Sequence, residues 1–197
     1  MDALVMCGGR GTRLAEPVEK PLFEICHTPM LQHVLLALAG SRVESIVGVG
    51  SPHTPATTAA WGDIVSTVAP DRQTRFVVAG GDGYVSDLDE ALETVDRPVV
   101  TVASDLPLLE SERIDRVIGT HGRGSTTVMV PLERKRELGV TIDRPTQAGS
   151  SLVPAGLNVV GVGKAENRYV SRHVGFAVNV NRTRDARIAE AIECNSS

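Results

Sequence analysis

Short runs of Val, Ile and Leu alternate along the chain with longer segments whose apolar residues recur at helical spacing. Apolar runs of this length, without polar alternation, are typical of strands in a parallel sheet that is covered on both faces. The runs predict strands at Ala3 to Cys7, Ser45 to Val49, Arg75 to Ala79, Pro98 to Ala103 and Ser125 to Val130.

Helices are predicted between these strands. Thr28 is predicted as an N-cap and Pro29 as the first helical residue, and the next apolar residues keep helical spacing up to Gly40. Three more helices are predicted by their caps: one that starts at Thr54-Pro55, one from Ser86 or Asp87 to Thr94, and one from Ser111 to Val117. The alternation of strand and helix predicts an α/β fold with a right-handed, doubly wound and mostly parallel sheet.

The rhythm changes after Pro131. The segment from Glu133 to Ser151 is charged and rich in Gly, Pro and Ser, which predicts an elaboration over the sheet edge. Strands are predicted at Leu157 to Val162 and Phe176 to Val180, and a final helix at Ala186 to Ile192 with Thr183 as its cap. We therefore expect a single domain over residues 1–197, with a nucleotide half at about 1–130, an acceptor-side elaboration at about 131–182 and a C-terminal helix at about 183–194.

Charge and hydropathy exclude two classes of partner. The net charge is −4 and basic residues form no block, so nucleic acid is not an expected partner. The apolar stretch from Met30 to Ala39 is far shorter than the about 20 residues that a membrane span requires. Met1-Asp2 leads directly into a strand without a basic region, which predicts no secretory signal and a cytoplasmic protein.

The cysteines and histidines suggest no metal chemistry. Cys7, Cys26 and Cys194 are odd in number and lack CxxC spacing, which favours reduced thiols over a disulfide framework or a zinc site. The five histidines show no metal-ligand spacing, and we assign them no chemistry.

The most informative segment is LVMCGGRGTRL at residues 4–14, followed by EKPL at 19–22. A strand that runs into a glycine loop brings backbone N–H groups close to a polyphosphate. Arg10, Arg13 and Lys20 would neutralise the phosphates. A dinucleotide-binding turn is disfavoured because its last glycine would fall on Leu14, and the GxxxxGK[ST] motif is absent.

Two polar strand ends complete the predicted site. Asp105 follows the buried strand that ends at Ala103, at the edge where open α/β sheets bind ligands. A carboxylate there suits Mg²⁺, although Asp105 also precedes Pro107 in a turn-forming pattern. Asn179 and Asn181 stand at the end of the last predicted strand, and Asn181 has helix capping as its alternative role.

GGxGTRL followed by EKPL resembles the motif of the nucleotidyltransferase superfamily, which includes sugar-nucleotide pyrophosphorylases and molybdenum-cofactor guanylyltransferases. The resemblance implies a Rossmann-like nucleotidyltransferase fold and Mg²⁺ as cofactor. It implies catalytic roles for Lys20, Arg13 and Asp105, and metal binding by Asp105 and Asn179. It also implies nucleotide contacts from Cys7, Gly8, Gly9, Arg10, Gly11, Thr12 and Ser104, and from Gly81, Gly83, Tyr84 and Asp87 in the GDGYVSDL segment, which a surface turn explains almost as well.

A narrower resemblance is carried by LVPAGLNVV at residues 152–160, together with EKPL and GDGYVSDL. The chain resembles the archaeal GTP:adenosylcobinamide-phosphate guanylyltransferases of cobamide synthesis. This resemblance implies GTP and adenosylcobinamide phosphate as substrates, with Ala155, Gly156 and Asn158 nearest the acceptor phosphate. Cys7 replaces the alanine, and Asn179 the aspartate, that are usual in the wider superfamily.

Other functions remain open from the sequence. A molybdenum-cofactor or sugar-phosphate nucleotidyltransferase shares the reaction class. A nucleotide-binding regulatory domain would keep the loop without turnover, but the retention of both Lys20 and Asp105 speaks against it. The sequence leaves the oligomeric state open, a homodimer included.

Overall fold

A computed structural model describes residues 1–9, 11, 13–14, 17–142 and 150–194. Within them the strands are β1 Ala3–Met6, β2 Glu24–Ile25, β3 Thr28–Pro29, β4 Ser45–Gly50, β5 Gln73–Val78, β6 Val99–Ala103, β7 Ser125–Pro131, β8 Leu152–Val160 and β9 Glu166–Val170. The helices are α1 Met30–Ala39, α2 Pro55–Val68, α3 Tyr84–Leu92, α4 Ser111–Thr120, α5 Leu132–Leu138, α6 Val174–Ala177 and α7 Thr183–Glu193, and a 3₁₀ turn covers Lys20–Leu22.

Seven of the described strands form one sheet in the order β5-β4-β1-β6-β8-β7-β9, and β2 pairs with β3 in a separate hairpin. The first four sheet strands are parallel to one another, so their carboxyl ends meet at one edge. The predicted α/β class with a doubly wound, mostly parallel sheet is therefore confirmed.

Alternation along β1 explains why this sheet is covered on both faces. Val5 packs in a cluster with α1, α2 and α4, whereas Leu4 packs in a second cluster with α3. Neighbouring strand residues point to opposite faces, so an entirely apolar strand needs an apolar layer on each side.

The region after Pro131 differs from the prediction. Strand β8 runs antiparallel between β6 and β7, so the elaboration enters the sheet instead of lying over its edge. Strand β9 pairs beside β7 and was not predicted, and neither was helix α5. Local pattern does not reveal such an insertion, because strand order is decided by contacts between distant segments.

The predicted strand at Phe176 to Val180 is wrong. Its first residues belong to helix α6, and Val178 and Val180 belong to no strand of the sheet. Phe176, Val178 and Val180 are nevertheless fully buried. A short buried apolar run suits a strand or a packed irregular segment equally well, and periodicity alone does not separate the two.

Several helix starts also differ from prediction. Pro29 stands at the N-cap of α1 while Thr28 and Pro29 form β3, and α3 begins at Tyr84, before Ser86. Neither the Thr54 nor the Ser111 side chain caps its helix. The start of α2 is capped instead from elsewhere in the chain, by the Glu19 carboxylate.

Cys26 and Cys194 form a disulfide that joins the β2–β3 hairpin to the end of α7. The prediction of reduced thiols is therefore wrong for this pair, whereas Cys7 is free and buried. The two cysteines are 168 residues apart, so spacing gives no sign of the pairing. None of the described helices is long and apolar enough to cross a membrane.

Candidate active site

A cavity of about 730 Å³ opens at the carboxyl ends of β1 and β6. Most of the predicted site residues that the structure describes line it, although they come from distant parts of the chain. They are Cys7, Gly8, Gly9, Arg13, Lys20, Gly81, Gly83, Tyr84, Asp87, Ser104, Asp105, Gly156, Asn158 and Asn179.

One end of the cavity is formed by the glycine loop after β1. The Ser51 hydroxyl donates to the Gly8 carbonyl at 2.9 Å. A side chain on Gly8 would stand 3.1 Å from Ser51 Cβ and 3.2 Å from Asp87 Oδ2, whereas one on Gly9 would meet nothing within 4 Å. Gly8 therefore permits close packing of the loop, and Gly9 leaves open space in the cavity.

The rest of the loop brings Lys20 into place. Gly11 has φ +61, and a Cβ there would lie 2.8 Å from Lys20 Cβ. Only a residue without a side chain permits this approach at that backbone angle. Arg13 lines the cavity, whereas Arg10 and Thr12, predicted to contact the nucleotide, lie outside the described residues.

The EKPL segment is attached to the start of α2. The Glu19 carboxylate accepts the backbone N–H groups of Ala56 and Thr57 at 2.7 Å each, and the Thr57 hydroxyl at 2.6 Å. A carboxylate satisfies the unpaired N–H groups of a helix N-terminus and the helix dipole favours its charge. Glu19 thus caps α2 in place of Thr54. Because Glu19 directly precedes Lys20, this contact also holds the backbone next to Lys20.

The other end of the cavity carries opposite charges in contact. Lys20 Nζ donates to Asp105 Oδ2 at 2.6 Å and to Asn181 Oδ1 at 2.7 Å. The Lys20 and Asp105 side chains are only 16% and 13% exposed. Partial burial weakens the competition from water, which makes this pair stronger than an exposed one.

Asn179 completes the contacts of Asp105. Its Nδ2 donates to Asp105 Oδ1 at 3.2 Å and to the Ala155 carbonyl at 2.9 Å. The Asp105 carbonyl accepts the backbone N–H of Val180, which holds this segment along the end of β6. Both carboxylate oxygens of Asp105 are therefore engaged by donors of the protein itself.

Sequence reasoning missed two charged residues behind this end. Lys135 on α5 is buried and donates to Asn179 Oδ1 at 2.9 Å, and it lines the cavity. Asp185, fully buried, accepts the backbone N–H groups of Thr141 and Asn181 and so holds the segment that carries Asn181. For Lys135 the available signal was scarcity, since the chain has only three lysines, and Asp185 had no such signal.

Part of the predicted acceptor side borders the same cavity. Gly156 has φ +91, and a Cβ there would lie 3.3 Å from Asn179 Nδ2. Asn158 lines the cavity and donates to Thr101 Oγ1 at 3.2 Å. Ala155 does not reach the cavity, because it is fully buried in the sheet and its carbonyl is bound by Asn179.

Asp87 organises the GDGYVSDL segment. Its Oδ1 accepts the backbone N–H of Gly81 at 2.9 Å, and it is buried in the first turn of α3. Gly81, Gly83 and Tyr84 accompany it at the cavity wall. The segment is therefore folded against the glycine loop and is more than a detached surface turn.

Cys7 is unsuited to nucleophilic chemistry. Burial raises the pKa of its thiol to about 12, opposed by hydrogen bonds from Val49 and Ser104. The thiolate is the nucleophilic form of cysteine, so this residue stays inert near neutral pH.

Comparisons with known proteins point in one direction. The chain is 31% identical over 98% of its length to the adenosylcobinamide-phosphate guanylyltransferase of Methanocaldococcus jannaschii, covering 97% of that protein. It is 29% identical to the bifunctional protein GlmU of Corynebacterium jeikeium over 77% of this chain, and covers 30% of the length of GlmU.

Solved structures confirm the fold. A hypothetical transferase from Thermus thermophilus matches with a TM-score of 0.65 at 18% identity, covering 94% of this chain and 98% of that one. A putative glucose-1-phosphate thymidylyltransferase from Bacillus anthracis matches with a TM-score of 0.68 at 13% identity, covering 98% and 94%. The family model described as the MobA-like NTP transferase domain matches residues 3–176, and the chain therefore belongs to this family of nucleotidyltransferases.

Proposed function

We propose that this protein transfers GMP from GTP to adenosylcobinamide phosphate, giving adenosylcobinamide-GDP and pyrophosphate. The observation that carries the proposal is the Lys20–Asp105 pair, 2.6 Å apart, in one cavity with the glycine loop. The guanylyltransferase from Methanocaldococcus jannaschii, similar over nearly the whole of both chains, supports the choice of substrates.

The triphosphate would bind at the glycine end. Backbone N–H groups around Gly8 and Gly9 and the guanidinium of Arg13 are suited to the β- and γ-phosphates, which become the leaving pyrophosphate. The base and ribose would lie against Tyr84 and Asp87. A carboxylate such as that of Asp87 accepts N–H groups, which guanine offers on its pairing edge.

The chemistry needs little proton transfer. A phosphate oxygen of the acceptor attacks the α-phosphorus of GTP, a new P–O bond forms, and the bond from the α-phosphorus to the bridging oxygen breaks. Because the acceptor is already an anion, catalysis depends on positioning and on neutralising charge. Lys20 would provide that charge at the α-phosphate after exchanging Asp105 for the nucleotide.

Asp105 fits the expected metal. Mg²⁺ prefers hard oxygen ligands and usually takes one or two carboxylates together with substrate phosphates. Asp105 and Asn181 both offer oxygen at the cavity, and the described residues contain no cluster of three or more His, Cys, Asp or Glu that would hold an ion alone. Bound there, Mg²⁺ would neutralise phosphate charge. Asn179, the other predicted ligand, has its oxygen turned to Lys135.

The acceptor would approach past Gly156 and Asn158. A corrinoid is larger than a cavity of about 730 Å³, so only its phosphate end would enter while the ring stays outside. We place the reaction in the cytoplasm because the cytoplasm supplies GTP. The Cys26–Cys194 disulfide points the other way, since disulfides are uncommon in a reducing compartment.

A sugar-phosphate nucleotidyltransferase is the second candidate, favoured by the similarity to GlmU over 77% of this chain. A molybdenum-cofactor guanylyltransferase is the alternative suggested by the family model. A regulatory nucleotide-binding domain is disfavoured, because binding alone has no need of a lysine and a carboxylate joined inside the cavity.

Product analysis separates these functions. Purified protein is incubated with Mg²⁺, each of the four NTPs and one acceptor at a time: adenosylcobinamide phosphate, molybdopterin or glucosamine 1-phosphate. We expect pyrophosphate and a product with the mass of adenosylcobinamide-GDP only with GTP and the first acceptor. A nucleotidyl product on another acceptor alone would refute the assignment, and the absence of NTP binding by calorimetry would refute the whole site.

A further inference from the structure

We propose that Lys135 is a positioning residue of this reaction, which acts on Asp105 through the side-chain amide of Asn179. The inference rests on the proposed function and adds to it a residue outside the nucleotidyltransferase motifs of the sequence.

Lys135 is placed where a lysine is costly. It lies on α5 and is only 5% exposed. Its Nζ donates to the Ala177 carbonyl and to Asn179 Oδ1, both at 2.9 Å. Burying an ammonium group costs several kcal/mol unless charge or hydrogen bonds compensate. An apolar residue would fill this place at lower cost if packing were the only requirement.

The contacts of Asn179 leave one orientation for its amide. Nδ2 faces two acceptors, the Ala155 carbonyl and Asp105 Oδ1, while Oδ1 faces the ammonium group of Lys135. Turning the amide by 180° would set oxygen against two acceptors and NH₂ against a donor. The three contacts together fix which face of Asn179 meets Asp105, and Lys135 supplies the one on the oxygen.

This orientation has a chemical consequence for Asp105. A fixed N–H donor on Oδ1 leaves Oδ2 as the oxygen that Lys20 holds and that a phosphate-bound cation would reach. Without Lys135 the Asn179 oxygen loses this donor, and the amide that supports Asp105 keeps, among the described contacts, only those of its Nδ2. Lys135 thus acts through the Asn179 amide, and it makes Asn179 a support of Asp105 instead of a second metal ligand.

The first test compares Lys135→Met with Arg136→Met, an exposed neighbour on the same helix. We expect Lys135→Met to lower kcat by about 10- to 100-fold, the usual effect of one hydrogen bond made to a charged group, with the KM for GTP within about twofold. Lys135→Gln, which keeps one donor for Asn179, should recover part of the loss. Arg136→Met should retain wild-type kinetics.

The second test asks whether Lys135 acts through Asn179. In the double variant Lys135→Met/Asn179→Leu, turnover should equal that of Asn179→Leu alone, because the route from Lys135 is already removed. Multiplying losses would overturn the proposal, as would equal kinetics for Lys135→Met and wild type. If Lys135→Met does not fold, the same comparison is made with Lys135→Gln.

A spectroscopic readout needs no substrate. The side-chain NH₂ signals of Asn179, assigned by their loss in Asn179→Leu, should shift and broaden in nucleotide-free Lys135→Met but not in Arg136→Met. Unchanged signals would overturn the proposed orientation. Because this measurement uses no acceptor, it can succeed even if product analysis refutes the proposed reaction.

Discussion

The two ends of the cavity are built in different ways. At the glycine end, the wall is backbone from a continuous stretch after β1, and the important property of Gly9 is the space that it leaves. At the charged end, the wall is a set of side chains from segments as far apart as Lys20 and Asn181, joined by the hydrogen bonds of Lys20 and Asp105.

The two ends should therefore be sensitive to different kinds of substitution. A backbone surface already presents its N–H groups when the ligand arrives, so it is disturbed mainly by added atoms. A side-chain cluster depends on each partner and on the elements that hold it, here α5, α7 and the segment between α6 and α7. Small additions should therefore damage the glycine end, and deletions the charged end.

Removal of either central charge should have the largest effect. We expect Lys20→Ala and Asp105→Ala each to lower kcat by about 10²- to 10³-fold, the usual cost of losing one preorganised electrostatic contact. Steady-state kinetics of pyrophosphate release measure this loss. The exposed residues Lys164 and Asp71 give matched controls as alanine variants, and wild-type turnover in Lys20→Ala or Asp105→Ala would contradict the assigned role.

Reduction of the Cys26–Cys194 disulfide should destabilise the segments that carry the charged end of the cavity. It closes a span of 168 residues between the hairpin after Lys20 and the helix after Asn181. We expect dithiothreitol, or Cys194→Ser, to lower the free energy of unfolding by about 2 to 4 kcal/mol in chemical denaturation.

Cys7→Ser is the control for that disulfide measurement, since Cys7 is the free cysteine and should leave the response to reductant intact. Alkylation of the unfolded, unreduced protein should label one cysteine. Labelling of all three would show that the pair does not form.

Adding one methyl group to Gly8 or to Gly9 should have different effects on stability. Gly8→Ala crowds Ser51 and Asp87, and should destabilise the fold by about 1 to 3 kcal/mol, as overpacking usually does. Gly9→Ala should change stability by less than about 0.5 kcal/mol, since nothing lies within 4 Å of the new methyl group. Thermal unfolding measures both.

Gly9→Ala should instead raise the KM for GTP, by about tenfold if the methyl group costs about 1.4 kcal/mol of binding. An unchanged KM would mean that the triphosphate does not lie against Gly9. The stability of this variant serves as its own control for folding.

The smallest expected effect is the pH dependence of stability that comes from the His173 cap of α6. His173 Nδ1 accepts the Gly175 N–H at 3.2 Å, which only neutral imidazole can do. Burial lowers the pKa of His173, partly opposed by the charge of Glu110. Because the folded pKa lies below the unfolded one, this stability is present above about pH 6.5 and is lost as the pH falls through the folded pKa.

We expect this loss to stay below about 1 kcal/mol, the usual worth of a helix cap. Unfolding measured between pH 5 and 8 should show it in the wild type and not in His173→Asn, since asparagine caps without titrating. An identical pH dependence in both proteins would contradict the assignment to His173.

Elements that depend on neighbouring residues were predictable. The parallel strands β1, β4, β5 and β6 follow from short apolar runs, and the glycine loop from three closely spaced glycines. Lys20 and Asp105 were predicted as site residues because each stands in a recognisable local context, within the EKPL segment or at a strand end. The structure brings them together as one ion pair.

Elements that depend on distant partners were not predictable. Strand β8 enters the sheet between β6 and β7, and the apolar run at Phe176 packs without joining a strand. Glu19 caps a helix that begins 36 residues later, at Pro55. No local pattern carries this information, because each contact is made by segments that meet only in the folded chain.

The fold class, the glycine loop and the identity of the two central charges follow from the sequence alone, since each is visible in the spacing of apolar residues or in residue type. The folded chain was needed to show that Asn179 faces Asp105 with its N–H group, that Lys135 lies behind it and that Cys26 meets Cys194. The physical reason is that hydrogen-bond direction and charge pairing depend on distances between atoms, and chain separation does not specify those distances.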